Sequence, residues 1–165
     1  MGVILVGVDG SNASLVAFRW ALDAAKIRGA EIEAVYAYDP TPAWALYGYI
    51  EGAIAPPVED EVSEDEAQRR AEEHLAAIIK EATAHDEGHG VPITALAVKS
   101  LRPSMALVER SEGKIMTVVG SRGRGGFTGL LLGSVSQQVV QHAKGPVMVL
   151  SAPKDAESKP EAQLA

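Results

Sequence analysis

The chain of 165 residues has no cysteine, few aromatic side chains and no long apolar run. Without cysteine it can form neither disulfides nor a thiolate zinc site, and a catalytic thiol is excluded. Because no apolar stretch reaches the roughly 18 residues of a membrane span and the start lacks a secretory leader, we expect a cytoplasmic protein. His85 and His89 are separated by the helix breaker Gly88, so we predict no metal site.

Basic residues are fewer than acidic ones: the chain has 15 Lys and Arg and 22 Asp and Glu, which gives a net charge of −7. Residues 99–144 depart from this balance: seven basic and two acidic residues give them +5, which leaves −12 for the rest. A positive segment suits an anionic ligand, although the asymmetry could also simply maintain solubility. The overall sign and the 5% aromatic content disfavour nucleic acid as a partner.

Apolar periodicity predicts alternating strands and helices. The expected strands are Val3–Val8, Ile32–Tyr38, Ile93–Val98, Ile115–Val119 and Val147–Leu150, and the expected helices are Ser11–Arg28, Ser63–His85, one opened by Pro103, and Gly133–Ala143. This order predicts an α/β fold, a doubly wound five-stranded parallel sheet with helices on both faces, of Rossmann-like type. One domain is expected over residues 1–153, followed by a disordered tail at 154–165, which is rich in Lys, Glu and Ala.

The stretch that follows the fourth predicted strand is rich in glycine. Glycines stand at positions 120, 123, 125 and 126, and Ser134 and Ser136 lie at the start of the next predicted helix. A backbone without Cβ lets an anion approach its N–H groups, and a helix start carries about half a positive charge. The pattern therefore predicts a phosphate site.

The spacing Gly120-x2-Gly123-x9-Gly133-Ser134 resembles the nucleotide-binding signature of the universal stress protein family, in its ATP-binding branch. The resemblance extends from the segment VILVGVDGS, residues 3–11, to the last predicted strand. It implies the strand order 3-2-1-4-5, in which the ends of the first and fourth strands meet at the point where the winding direction reverses.

The same resemblance implies a set of binding residues. Gly7 and Asp9 would lie against the nucleoside, and Ala37 would offer backbone groups to the adenine edge. The positions implied around ribose and phosphates are Gly120, Ser121, Arg122, Gly123, Arg124, Gly125, Gly126, Gly133, Ser134, Val135 and Ser136. Other interpretations stay open: an Asx turn at Asp9, a plain helix N-cap at Ser134, and solvated loop charges at Arg122 and Arg124.

The resemblance implies a regulatory stress-response protein that binds ATP, or AMP or ADP, with Mg²⁺ carried by the nucleotide. Because no water-orienting base can be named, we favour binding over catalysis. A slow ATPase or adenylate-transferring enzyme, and an interaction module with an empty pocket, are the alternatives.

Two further segments predict contacts with other chains. Residues 39–62 contain four prolines and several aromatic residues, and we expect a mobile flap near the nucleotide that could also meet an unidentified protein partner. Val147–Leu150 is apolar yet would lie at the edge of the sheet, so we expect a homodimer through this strand.

Overall fold

A computed structural model describes residues 2–40, 63–85, 90–123 and 132–153. The five strands are β1 (Val3–Gly7), β2 (Glu31–Tyr38), β3 (Ile93–Lys99), β4 (Met116–Gly120) and β5 (Val147–Leu150), and the helices are α1 (Asn12–Arg28), α2 (Glu64–Thr83), α3 (Pro103–Arg110) and α4 (Ser134–His142). Most of the predicted flap, the predicted tail, and the predicted site residues Arg124, Gly125 and Gly126 lie outside the described residues.

The strands form one parallel sheet in the order β3-β2-β1-β4-β5. The predicted fold class and strand order are therefore confirmed. The observed strand bounds differ from the predicted ones by one residue at several ends: β1 stops at Gly7, and β4 runs from Met116 to Gly120. The difference at β4 places Gly120 inside the sheet rather than in the loop.

Helices cover both faces of the sheet. Successive side chains of a strand point to opposite faces, so the apolar strands need a covering on each face. Ile4, Val6 and Phe18 belong to the larger buried cluster, where α1 and α2 pack against one face. Helices α3 and α4 lie on the opposite face, and their smaller cluster joins Leu5, Val35, Leu107, Val119 and Val139.

Both long helices begin at a serine N-cap. The Ser11 Oγ accepts from the N–H of Ser14, and the Ser63 Oγ accepts from the N–H of Glu66, each at 3.2 Å. Helix α1 ends at Gly29, whose φ of 58° is left-handed and therefore favours glycine. Within the described ranges, none of the helices is both long enough and apolar enough to cross a membrane.

Candidate functional site

A cavity of about 300 Å³ opens at the carboxyl edge of the sheet, between the ends of β1 and β4. Open parallel sheets bind ligands at this kind of position, where neighbouring strands lead to helices on opposite faces. Its lining comes from β1, β2, β4 and the starts of α1, α3 and α4: Gly7, Val8, Asp9, Ser14, Val35, Ala37, Pro103, Leu107, Val119, Gly120, Arg122, Gly123, Gly133, Ser134, Val135 and Ser136.

The structure thus brings most predicted site residues to one cavity. Of the predicted positions within the described residues, Ser121 alone does not line it. Ser121 is buried, and its backbone carbonyl accepts from the N–H of Gly133 at 2.7 Å and from the Ser136 Oγ at 2.9 Å. Ser121 therefore joins the end of β4 to the start of α4 rather than facing the open space.

Asp9 forms the Asx turn that was one interpretation of its sequence context, and its contact with a ligand, the other interpretation, stays a prediction. Its Oδ1 accepts from the N–H of Ser11 at 2.9 Å, which is an Asx turn, and Gly10 between them has a φ of 79°. The other oxygen, Oδ2, lies beside Gly123, since a Cβ built on that glycine would stand 2.6 Å from it. The carboxylate is held locally and still lies at the wall of the cavity.

Packing against α1 gives a steric reason for glycine at position 120, in addition to the close approach of a ligand that the sequence suggests. A Cβ on it would lie 2.7 Å from the carbonyl carbon of Ala13 and 2.8 Å from the nitrogen of Ser14. These are backbone atoms in the first turn of α1, which can shift only if the helix itself moves. Glycine at 120 lets α1 approach the end of β4. Gly120 also lines the cavity, so its predicted contact with a ligand stays a prediction beside this packing role.

Gly7 is also closely packed, in this case against side chains on the other face of the sheet. Its Cβ would lie 2.7 Å from Cδ1 of Leu107 and 3.3 Å from Cγ1 of Val119. Together with Val35, these two side chains form an apolar floor below the cavity. A flat apolar group can lie on this floor, and Pro103 borders it from the start of α3.

Ala37 presents its backbone to the cavity. The Val35 carbonyl accepts from the N–H of Val8, and the Tyr38 carbonyl accepts from the N–H of Ser100 on the β3 side. Because backbone groups alternate in direction along a strand, the N–H and C=O of Ala37 point to the β1 side, beyond the end of β1. They lie where the edge of a planar heterocycle could be recognised.

The start of α4 offers backbone N–H groups as hydrogen-bond donors. Its N-cap is Gly133, which provides no side-chain hydrogen bond, and Ser134 and Val135 line the cavity. The hydroxyl of Ser136 instead donates inward to the carbonyls of Ser121 and Gly133, at 2.9 and 3.0 Å. Ser136 can thus bind a phosphate through its N–H, while its hydroxyl supports the loop.

The start of α4 favours an anion. Helix α4 has no acidic residue in its first turn, whereas α2 has three, Glu64, Asp65 and Glu66, and the start of α1 already meets the Asp9 carboxylate through the N–H of Ser11. An uncompensated helix start attracts negative charge. Among the described lining residues, Asp9 and Arg122 are the two charged side chains.

The carboxylates with a clearly lowered pKa lie on the surface, outside the cavity. Lys99 lowers the pKa of Glu64, Arg69 and Arg70 lower the pKa of Glu66, and Lys144 lowers the pKa of Glu112.

Sequence reasoning missed Ser14 and the apolar floor. The Ser14 Oγ donates to the carbonyl of Ser11 at 2.9 Å and accepts from the N–H of Asp9 at 3.4 Å, so it braces the turn that carries Asp9. The three-residue spacing between Ser11 and Ser14, directly after an Asp-Gly turn, is the signal that could have indicated it. Pro103 and Leu107 stand four residues apart on α3, a spacing that places both on one helix face.

Comparison with known proteins agrees with this architecture. The model of the universal stress protein family matches residues 1–151. Universal stress protein Rv2005c of Mycobacterium tuberculosis is 37% identical over 146 residues, which cover 88% of this chain but 44% of that protein. The chain therefore spans less than half the length of the curated relatives it matches.

Solved structures share the fold. A universal stress protein in complex with cAMP has a TM-score of 0.60 and 25% identity, over 91% of this chain and 96% of that one. A universal stress protein family protein from Arabidopsis thaliana, with AMP bound, has a TM-score of 0.58 and 21% identity over 94% of each chain, a likeness in fold alone. The chain belongs to the universal stress protein family.

Proposed function

We propose that this stress-response protein binds an adenine nucleotide in the cavity between β1 and β4 and acts through nucleotide-dependent conformation or partner binding. The observation that carries the proposal is the convergence of an apolar floor, the backbone of Ala37, and the start of α4, which has no acidic residue in its first turn, around one cavity. A nucleotide has the matching parts: a flat base, a polar sugar and a phosphate chain.

The base would lie on Val35, Leu107 and Val119, with its edge at the backbone of Ala37. Asp9 would accept a hydrogen bond from the ribose or base, since its carboxylate lies at the cavity wall. Related proteins support an adenine nucleotide, because solved family members have cAMP or AMP bound.

The phosphates would lie at the start of α4, where Gly133, Ser134, Val135 and Ser136 offer backbone N–H groups. Arg122 would add the cationic side chain. The predicted Arg124, Gly125 and Gly126 remain proposed contacts. Mg²⁺ would arrive on the phosphates of ATP or ADP, and the cytoplasm is the compartment we propose for this function.

Binding is favoured over hydrolysis by the position of Asp9, the one carboxylate among the described residues that line the cavity. Asp9 lies with the nucleoside portion in this arrangement, and its Oδ1 is engaged by the N–H of Ser11. ATP hydrolysis needs a group that orients water beside the γ-phosphoryl group. Among the described lining residues, no second carboxylate or histidine stands near α4 to do so.

Calorimetric titration with AMP, ADP, ATP and cAMP tests the proposal. We expect a dissociation constant on the order of micromolar for at least one of them. Ser134→Glu should abolish binding, because an exposed carboxylate at this helix start repels phosphate while suiting the helix dipole. Gln138→Glu is the matched control: it adds the same charge on an exposed position of α4 outside the cavity and should leave affinity unchanged. Equal affinities in the two variants would contradict the phosphate position, and the absence of any binding by the unmodified protein would contradict the function.

A further inference from the structure

We propose that Ser11 is a positioning residue for nucleotide binding, because its hydroxyl holds the backbone of the loop that follows β4. This inference rests on the proposed function. Ser11 does not line the cavity, but its Oγ donates to the carbonyl of Arg122 at 3.3 Å, across 111 residues of sequence. The same oxygen accepts from the N–H of Ser14, so one hydroxyl serves the start of α1 and the loop together.

The carbonyls of two successive residues are held from opposite sides by serine hydroxyls. The carbonyl of Ser121 accepts from Ser136 of α4, and the carbonyl of Arg122 accepts from Ser11 before α1. A planar trans peptide fixes the N–H opposite its carbonyl. The two bonds therefore set the directions of the N–H groups of Arg122 and Gly123, at the point where the loop borders the cavity.

The bond to Ser11 also keeps the two halves of the site together. Asp9 donates its N–H to Ser14, and Ser14 donates to the carbonyl of Ser11, so the turn after β1 is tied to the residue that holds Arg122. A loop already held in its binding geometry loses less conformational freedom when a ligand arrives. Loss of the Ser11 hydroxyl should weaken binding without removing any contact with the nucleotide.

Ser63 provides a matched control for this idea. Both serines are N-caps whose Oγ accepts from the N–H three residues later at 3.2 Å. Ser63 is exposed at the start of α2 and has no bond to the loop after β4 among the described residues. Replacing either serine by alanine thus removes an equivalent N-cap hydrogen bond, but only the change at Ser11 also removes the hydrogen bond to the carbonyl of Arg122.

The test is calorimetric titration of AMP into Ser11→Ala, Ser11→Gly, Ser11→Thr and Ser63→Ala. We expect the affinity to fall about fivefold to tenfold in Ser11→Ala and Ser11→Gly, to be restored in Ser11→Thr, and to stay unchanged in Ser63→Ala. Glycine retains most of the stability of a serine cap, so a folding defect cannot mimic the result. Equal affinities in Ser11→Ala and Ser63→Ala would overturn the proposal.

A second readout needs no nucleotide. The N–H of Gly133 donates to the carbonyl of Ser121, one residue from the carbonyl that Ser11 holds. Amide hydrogen exchange at Gly133 should quicken in Ser11→Ala but not in Ser63→Ala. If the unmodified protein binds none of AMP, ADP, ATP and cAMP, the proposed function fails by itself, and unchanged exchange at Gly133 would separately overturn the positioning role.

Discussion

Gly123 lies so close to Asp9 that a Cβ on the glycine would stand 2.6 Å from the Oδ2 of the aspartate. The two residues come from motifs more than a hundred positions apart, one after β1 and one after β4. Because Gly123 and Asp9 lie so close together, a side chain at position 123 would push against the carboxylate that the Asx turn holds in place. A glycine at 123 is therefore needed for the geometry of both motifs.

The first prediction follows from this contact. Gly123→Ala should displace the Asp9 carboxylate and weaken AMP binding about tenfold, equivalent to about 1.4 kcal/mol. The measurement is calorimetric titration. Gly145→Ala is the control, because its Cβ would meet only backbone oxygens at 3.8 and 3.9 Å and Gly145 does not line the cavity. Unchanged affinity in Gly123→Ala would remove this glycine from the site.

Gly120→Ala should act on folding instead. Its Cβ would press on the backbone of Ala13 and Ser14 at 2.7 and 2.8 Å, and α1 would have to move away from β4. Overpacking of this kind typically costs about 1–3 kcal/mol in the free energy of unfolding. Chemical denaturation of Gly120→Ala beside Gly145→Ala measures the cost. If Gly120→Ala is as stable as the control, α1 can shift away from β4 without cost, and the prediction is wrong.

The sequence predicted the strands and the glycine loop that borders the cavity because both depend on local patterns, whereas the strand order was implied by the family resemblance. Short apolar runs mark Ile4 and Val118 as strand residues, and the glycine spacing marks the loop after β4. It could not predict the apolar floor, because Leu107 meets Val119 only after α3 has packed on the sheet.

Roles of single residues were harder to predict for the same reason. Ser134 and Ser136 look equivalent in sequence, yet Ser134 is exposed at the cavity and Ser136 is buried with its hydroxyl turned toward Ser121. The direction of a hydroxyl depends on acceptors that arrive from distant strands. The reason for Gly120 likewise lies in α1, which its neighbours in sequence do not reveal.

Thr117→Val should stabilise the fold by about 1 kcal/mol. The side chain is 1% exposed, and within the described part of the chain its Oγ1 has no hydrogen-bond partner. Valine has the same shape without the polar atom, so the substitution removes a desolvation cost.

Ser111→Ala provides the contrasting variant. Ser111 is equally buried, but its Oγ donates to the carbonyl of Val108 at 2.6 Å and accepts from the N–H of Lys144 at 2.8 Å. We expect this change to destabilise the protein by about 1–2 kcal/mol. Thermal or chemical unfolding measures both variants, and destabilisation by Thr117→Val would contradict the argument.

The last prediction concerns the proposed homodimer through β5. The carbonyls of Pro146 and Leu150 accept from the N–H groups of Thr117 and Ser121, so these residues face β4. By alternation, the backbone groups of Val147 and Val149 face the free edge of the sheet. Two-fold antiparallel pairing of β5 with a second copy would satisfy them.

Val149→Pro should therefore yield a monomer that keeps its fold, because proline removes an N–H that points away from β4. Met148→Pro is the contrasting variant: its N–H faces β4, and its loss should unfold the edge of the domain as well as the dimer. Light scattering with circular dichroism distinguishes the outcomes. The unmodified chain should have twice its 17.3 kDa mass and Val149→Pro the single mass with unchanged helix content. A single mass for the unmodified chain at micromolar concentrations would show that β5 does not pair with a second copy.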